Sequence, residues 1–249
     1  MRSAIKQARP VHYLWVLLLV SVLGGCSREA YSPLMNAAKD GNLAAVQQYL
    51  AQGADINAQT SKGKQALMLA ASEGHAPVVR LLLEHGAMVD ARDSFGTTAL
   101  IVAATAGHTE VVKLLLEHGA DPQARDDSGG TPLVNATFFG HSDAARAVLA
   151  KSPPLDKQDG EELLLLAAGL GHGDIVAALL DHGVDVNGRG LKNRTALMAA
   201  TAFNRLDVVR ILLKRGADPL AKDDDGNTAL TVARDKGNNE ITALLSGKH

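Results

Sequence analysis

Nine histidines in a chain of 249 residues are the first place to look for metal ligation or proton transfer, and Cys26 is the only thiol. Their positions argue against a shared centre. His75, His108, His141 and His172 recur in one slot, each preceded by glycine, and His85, His118 and His182 recur in another. Copies separated in this way lie one whole unit apart instead of converging on a point. Neither a His-Glu-x-x-His string nor a cysteine pair occurs, so no metal site is expected. The acidic runs Asp126-Asp127 and Asp223-Asp224-Asp225-Gly226-Asn227 lack the spaced carboxylates and closing glutamate of a calcium loop and read as solvated turns. No Gly-x-Ser-x-Gly elbow and no phosphate loop is present. The chain therefore reads as non-enzymatic, with no catalytic residue, no cofactor and no small-molecule substrate.

The elements that carry these histidines are set by a repeated leucine. Leu34, Leu67, Leu100, Leu133, Leu164, Leu197 and Leu230 are spaced by 33 residues in five steps and by 31 in one. After Leu100 the run Ile101-Val102-Ala103-Ala104 is apolar and mostly small, which allows a neighbouring helix to approach closely, and Gly107 follows as a terminating glycine. A second helix is expected from Thr109, read as its N-cap, with Glu110 in the first turn and Val111, Val112, Leu114, Leu115 and Leu116 as its apolar side. Pro77 fits the start of the equivalent helix, and Gly86, Gly119, Gly183 and Gly216 its ends. Each helix is too short to persist alone, so the units must stack.

The string Gly-His-x-x-Val-Val-x-Leu-Leu-Leu-x-x-Gly-Ala-Asp-x-x-Ala, from Gly107 to Ala124, resembles ankyrin repeats, and the resemblance runs from about Ala30 to Leu245. It implies an all-α repeat solenoid of about seven stacked units, each a hairpin loop, a short helix, a tight turn and a second helix. The family's Thr-Pro-Leu-His reads Ser32-Pro33-Leu34-Met35, Thr98-Ala99-Leu100-Ile101 and Thr131-Pro132-Leu133-Val134 here, without the histidine. The repeat domain is expected over 31–246, with polar first and last units as caps around Tyr49 and around Asn238-Asn239. The fourth unit is irregular. Lys151-Ser152-Pro153-Pro154-Leu155-Asp156 replaces Gly-Ala-Asp-x-x-Ala, and a bend or weak joint is expected between the fourth and fifth units.

Residues 1–25 have another layout. Arg2, Lys6 and Arg9 precede an apolar run from Val11 to Leu23, as in an export signal, and that run is short beside the about 20 residues that span a bilayer. Leu23-Gly24-Gly25-Cys26 resembles the bacterial lipobox, which implies removal of 1–25, lipidation of Cys26 and a tether over 26–30. Ser27 after the cysteine suggests the periplasmic face of the outer membrane of a Gram-negative bacterium, a soluble periplasmic protein being the alternative. Without the leader, 22 basic residues face 27 acidic ones, a net of −5 with histidines neutral. That balance argues against nucleic acid as a partner.

In the ankyrin architecture a partner protein meets the hairpin tips and the exposed ends of the first helices. Those slots hold Phe95, Phe138, Phe139, Leu170, Leu191 and Phe203, with Arg194, Lys192 and Lys62 as rim charges. All four phenylalanines of the chain fall there, and apolar residues exposed together mark an interaction site. The expectation is a membrane-anchored periplasmic scaffold binding another protein through its concave face, in one concrete form an immunity protein neutralising a toxin. A self-assembling envelope protein and a helper scaffold for a periplasmic enzyme stay open beside it.

Overall fold

In a computed structural model of the protein, residues 30–247 are described. The export signal and the lipidation site Cys26 lie outside the described residues. Fourteen α-helices form among them, with no strand, and pair into seven units. The first helices of the units are α1 (Pro33–Lys39), α3 (Ala66–Ser72), α5 (Ala99–Ala106), α7 (Pro132–Phe139), α9 (Lys157–Leu170), α11 (Ala196–Ala202) and α13 (Ala229–Asp235). The second helices are α2 (Leu43–Ala51), α4 (Ala76–Glu84), α6 (Thr109–Glu117), α8 (Ser142–Leu149), α10 (Gly173–Asp181), α12 (Leu206–Lys214) and α14 (Asn239–Leu245). First helices pack on first helices and second on second along the whole stack.

The sequence explains where each element starts and stops. Thr98, Thr131, Thr195 and Thr228, just before the repeated leucine, are the N-caps of α5, α7, α11 and α13, and their hydroxyls accept from the N–H three residues on. Thr109 is not a cap. It is the first residue of α6, and the N-cap is His108, which makes no side-chain cap bond because its ring is turned toward the preceding unit. Gly107, at φ 76°, ends α5 in the left-handed region. Apart from α9, the helices are 7 to 9 residues long, well below the about 12–15 at which an isolated helix becomes even marginal. Their stability comes from burial. Leu34, Leu67, Leu100, Leu133, Leu164 and Leu197 are all buried, each contributing about 1.5–3 kcal/mol, and Leu230 in the last unit is half-buried.

Three registers of hydrogen bonds tie unit to unit. His75, His108 and His141 place Nε2 2.9, 3.0 and 3.1 Å from the carbonyls of Lys39, Ser72 and Thr105, one unit back, so Nε2 carries the donated proton. Each ring lies over the turn glycine of that earlier unit: a Cβ on Gly74 would sit 2.6 Å from His108 Nδ1. At the base of the hairpins, Asn57, Asp90 and Asn187 accept from the N–H of Met88, Asp121 and Asp218. At the tips, Ser94 N–H donates to Lys62 O, Asp127 N–H to Phe95 O and Asp224 N–H to Lys192 O.

The tip row is interrupted once. Between α8 and α9 no hairpin forms; Asp156 caps α9 by accepting from Asp159 N–H at 2.8 Å, and the helix then runs 14 residues to Leu170. The unit is two residues shorter here, and residues 157–162, capped by Asp156 and including Gly160, are helix where the other units turn. The irregularity expected here as a bend or weak joint is thus a substitution of helix for hairpin. The contact of α7 with α9 is the thinnest among the first helices.

Candidate protein-binding groove

The extended α9 leaves a groove of about 1270 Å³ along the tip side of the later repeats. Its floor comes from α9 and α11. Leu165, Leu166, Met198, Ala199 and Phe203 line it, with Val134 of α7 and Val232 of α13 at its two ends. The leucines are there because α9 carries four in succession, Leu163 to Leu166: Leu163 and Leu164 are buried in the stack, and Leu165 and Leu166, half-buried, face the groove.

One wall is the hairpin before α7, with Arg125 and Gly129; the opposite wall is the hairpin before α11, with Gly190, Leu191, Lys192 and Arg194. Arg125 is held across the near wall by an ion pair with Asp159 of α9. On the far wall Gly190 stands where other hairpins have Asp93, Asp126 or Asp223. A Cβ at Gly190 would meet Leu165 Cδ2 at 2.7 Å, so a larger residue there would require the Leu165 side chain to shift. The tip that follows, a 3-10 turn over Leu191–Asn193, puts Lys192 at φ 59° and Asn193 at φ 56°. Left-handed backbone at two non-glycine residues is strained and is held by its surroundings. Here Arg189 donates to Asn193 O at 3.1 Å, and Asn193 Nδ2 donates to Asp224 Oδ1 at 2.6 Å.

Charge at the groove is organised around Asp223 and Arg194, 3.9 Å apart. Burial by itself would raise the Asp223 pKa. The N–H groups of Asn227 and Asp225, the Asn227 side-chain amide and the Arg194 guanidinium outweigh it and hold the carboxyl below its ordinary value. The Asp223-Asp224-Asp225 loop therefore spends its first carboxylate on its own turn. Among the described residues no group of three or more His, Cys, Asp or Glu comes together as a metal site.

The expected binding residues separate into groups. Leu191, Arg194 and Phe203 all line the groove, with Leu191 and Phe203 exposed to 49% and 64%. One face of Phe203 rests on Gly169, where an added Cβ would lie 3.3 Å from Cδ2. Phe95, Phe138, Phe139 and Leu170 do not line it. Phe138 is half-buried and meets Phe139 edge-on at 5.1 Å between centroids, Phe139 in turn stacks on His141 at 6.3 Å, and Phe95 stands alone on the second tip. Leu170 is half-buried as the last residue of α9. The slots that sequence reasoning missed are those of Leu165, Leu166 and Met198; the run of four leucines, Leu163 to Leu166, was the signal for the first two.

A row of helix pairs with a grooved tip side defines the class of repeat-built interaction scaffolds. Within that class the chain belongs to the ankyrin repeat family: the family model described as ankyrin repeats (3 copies) matches residues 34–126, 90–158, 133–223 and 187–249. The chain is similar to the E3 ubiquitin-protein ligase hecd-1 of Caenorhabditis elegans, 42% identical over 89 residues, 34% of this chain and 3% of that protein. It is also similar to alpha-latrocrustotoxin-Lt1a of Latrodectus tredecimguttatus, 36% identical over 92 residues, 36% of this chain and 6% of the toxin. The match thus spans a small part of these relatives. Among solved structures, the human ASB11 ankyrin repeat domain superposes with a TM-score of 0.75 at 29% identity, covering 88% of this chain and 98% of that one. The ankyrin repeat domain of Bcl-3 gives 0.73 at 28%, covering 88% and 100%. The fold is generally a non-catalytic module that binds other proteins.

Proposed function

We propose that the protein is a periplasmic scaffold, lipid-anchored through Cys26 to the outer membrane, that holds another protein in the groove between repeats 4 and 7. In its concrete form the partner is a toxin acting at the same membrane, and the scaffold is an immunity protein. The observation that carries the binding reading is the groove itself: an apolar floor between charged walls, with Leu191 and Phe203 exposed at its edge. The lipobox-like Leu23-Gly24-Gly25-Cys26 motivates the anchor. Four residues, 27–30, separate Cys26 from the stack, and at about 3.3–3.6 Å each they would hold the first repeat near the bilayer. Such a tether raises the local concentration of the scaffold where a membrane-active toxin works.

Two measurements test this. Labelling cells with a palmitate analogue should mark the wild-type protein and leave Cys26→Ala unmarked; a labelled Cys26→Ala protein, or an unlabelled wild type, removes the anchor. A photocrosslinking residue at Leu191 or Phe203 should join one protein in the envelope, while the same residue at exposed Lys113 on α6 should not. Equal adducts from all three positions, or none, would remove the groove as the binding face.

A further inference from the structure

The interruption of the tip row leaves two backbone groups unmatched, one on each of the two tips that bound the groove. Where two hairpins adjoin in the row, the second residue after the tip's first position offers its carbonyl forward, as Lys62, Phe95 and Lys192 do, and the next residue after that first position in the following hairpin donates backward, as Ser94, Asp127 and Asp224 do. Where the hairpin between α8 and α9 is missing, the forward carbonyl is that of Ser128 and the backward N–H is that of Leu191. Neither has a hydrogen-bond partner among the described residues. Both tips bound the groove, at Gly129 on one side and at Gly190 to Lys192 on the other.

We infer that the groove receives a tight turn of a partner protein, which stands in the vacant place of the missing hairpin, donates an N–H to Ser128 O and accepts from Leu191 N–H. This rests on the groove reading above. Three properties select a turn over other occupants. The body of a helix pairs its own backbone groups and leaves donors open at one end and acceptors at the other, whereas a turn or extended segment offers an N–H and a carbonyl close together. The volume, about 1270 Å³, exceeds the roughly 300–1,000 Å³ of small-molecule pockets. The floor, with Leu165 and Leu166, is apolar and Phe203 stands at its edge, so the turn carries an apolar side chain at its apex.

The probe is a cyclised peptide reproducing this chain's own second tip, Arg92-Asp93-Ser94-Phe95-Gly96-Thr97-Thr98, which has the turn geometry and the apolar apex. Leu191→Ala removes a side chain; Leu191→Pro removes the side chain and the N–H, and Gly190, at φ −87° and ψ −156°, already has the extended backbone that a following proline requires. Binding of the peptide to the whole protein is measured by titration calorimetry, with circular dichroism melts of both variants. Binding weakened about tenfold more by Leu191→Pro than by Leu191→Ala, with both variants folded, is the expected result. Equal weakening by the two, or equally tight binding of a stapled helical peptide of the same composition, overturns the inference. No saturable binding of the cyclic peptide at millimolar concentration also overturns it, and leaves the groove reading to be decided by the crosslinks at Leu191 and Phe203. Dimerisation of the protein that Leu191→Pro abolishes would assign the vacancy to a second copy and overturn it as well.

Discussion

From α1 to α8, successive repeats are joined by the same parts: a histidine over a turn glycine, a base acceptor and a tip-to-tip hydrogen bond. From α9 onward the tip row is interrupted and the histidine slot changes, while the base acceptor Asn187 and the tip bond from Asp224 N–H to Lys192 O keep the earlier pattern. Arg205 takes the histidine slot and donates Nε–H to Gly169 O at 3.1 Å, and Asn238 takes it in the last unit and donates to Thr201 O at 2.6 Å. His182, whose counterparts His85 and His118 bond their own helices at Leu81 O and Leu114 O, reaches back instead to Pro153 O. The first half spends its residues on identical joints, and the second carries the groove. Regularity gives a stack its strength; departure from it makes one surface unlike the others.

The comparison is most directly broken by removing a core leucine from each half. Leu100→Ala and Leu164→Ala should each cost about 2–5 kcal/mol in urea unfolding, because both side chains are wholly buried. A markedly smaller loss at Leu164 would mean that the α7–α9 joint already yields. Next in size is the turn glycine. Gly74→Ala combines a left-handed φ of 80° with a collision against the His108 ring, which must then give up Ser72 O, and should cost about 2–3 kcal/mol. Gly171→Ala has a φ of 90° too, but meets the flexible Arg205 side chain, so about 1–2 kcal/mol is expected; equal losses at the two sites would erase the distinction between rigid and flexible rungs.

A smaller effect separates the halves by pH. Burial lowers the His172 pKa below its usual 6.5; the Phe138 carbonyl opposes this, and Arg205 and His141 add to it. The unfolded chain then binds the proton more readily, so the contribution of His172 is complete above about pH 6.5 and is lost as pH falls toward its folded pKa. Thermal melts between pH 7.5 and 5 should show a shallower acid loss in His172→Gln than in the wild type, and parallel curves would refute the assignment. The smallest effect belongs to the wall of the groove. Arg125→Ala breaks an exposed pair with Asp159 and should change stability by less than about 1 kcal/mol, measured by the same melts.

The stack was legible because a period of 33 counts residues without needing to know their contacts, and the buried leucines follow from it. The groove was only half legible. Leu191, Arg194 and Phe203 were reachable from their slots, since a slot fixes the side of the stack on which a residue emerges. Phe138 shows the limit of that rule: it shares the side but folds onto Phe139 and is half covered. The missing hairpin was visible as a two-residue deficit, but a deficit does not say whether the chain turns sharply or continues as helix. That outcome depends on Asp156 capping at its new position and on Leu165 and Leu166 tolerating partial exposure, both of which are tertiary facts.

The histidine-over-glycine joint also bears on how such an array can grow. Each rung is shared between two units, so a repeat cut at the rung, from His75 through Gly107, carries a histidine for the glycine before it and a glycine for the histidine after it. Inserted as a copy within the first four repeats, it would complete every joint on both sides with no compensating change. The same insertion between α8 and α9 would find a helix where the next hairpin should be. The first part of the chain is thus open to lengthening by duplication, and the part with the groove is closed to it.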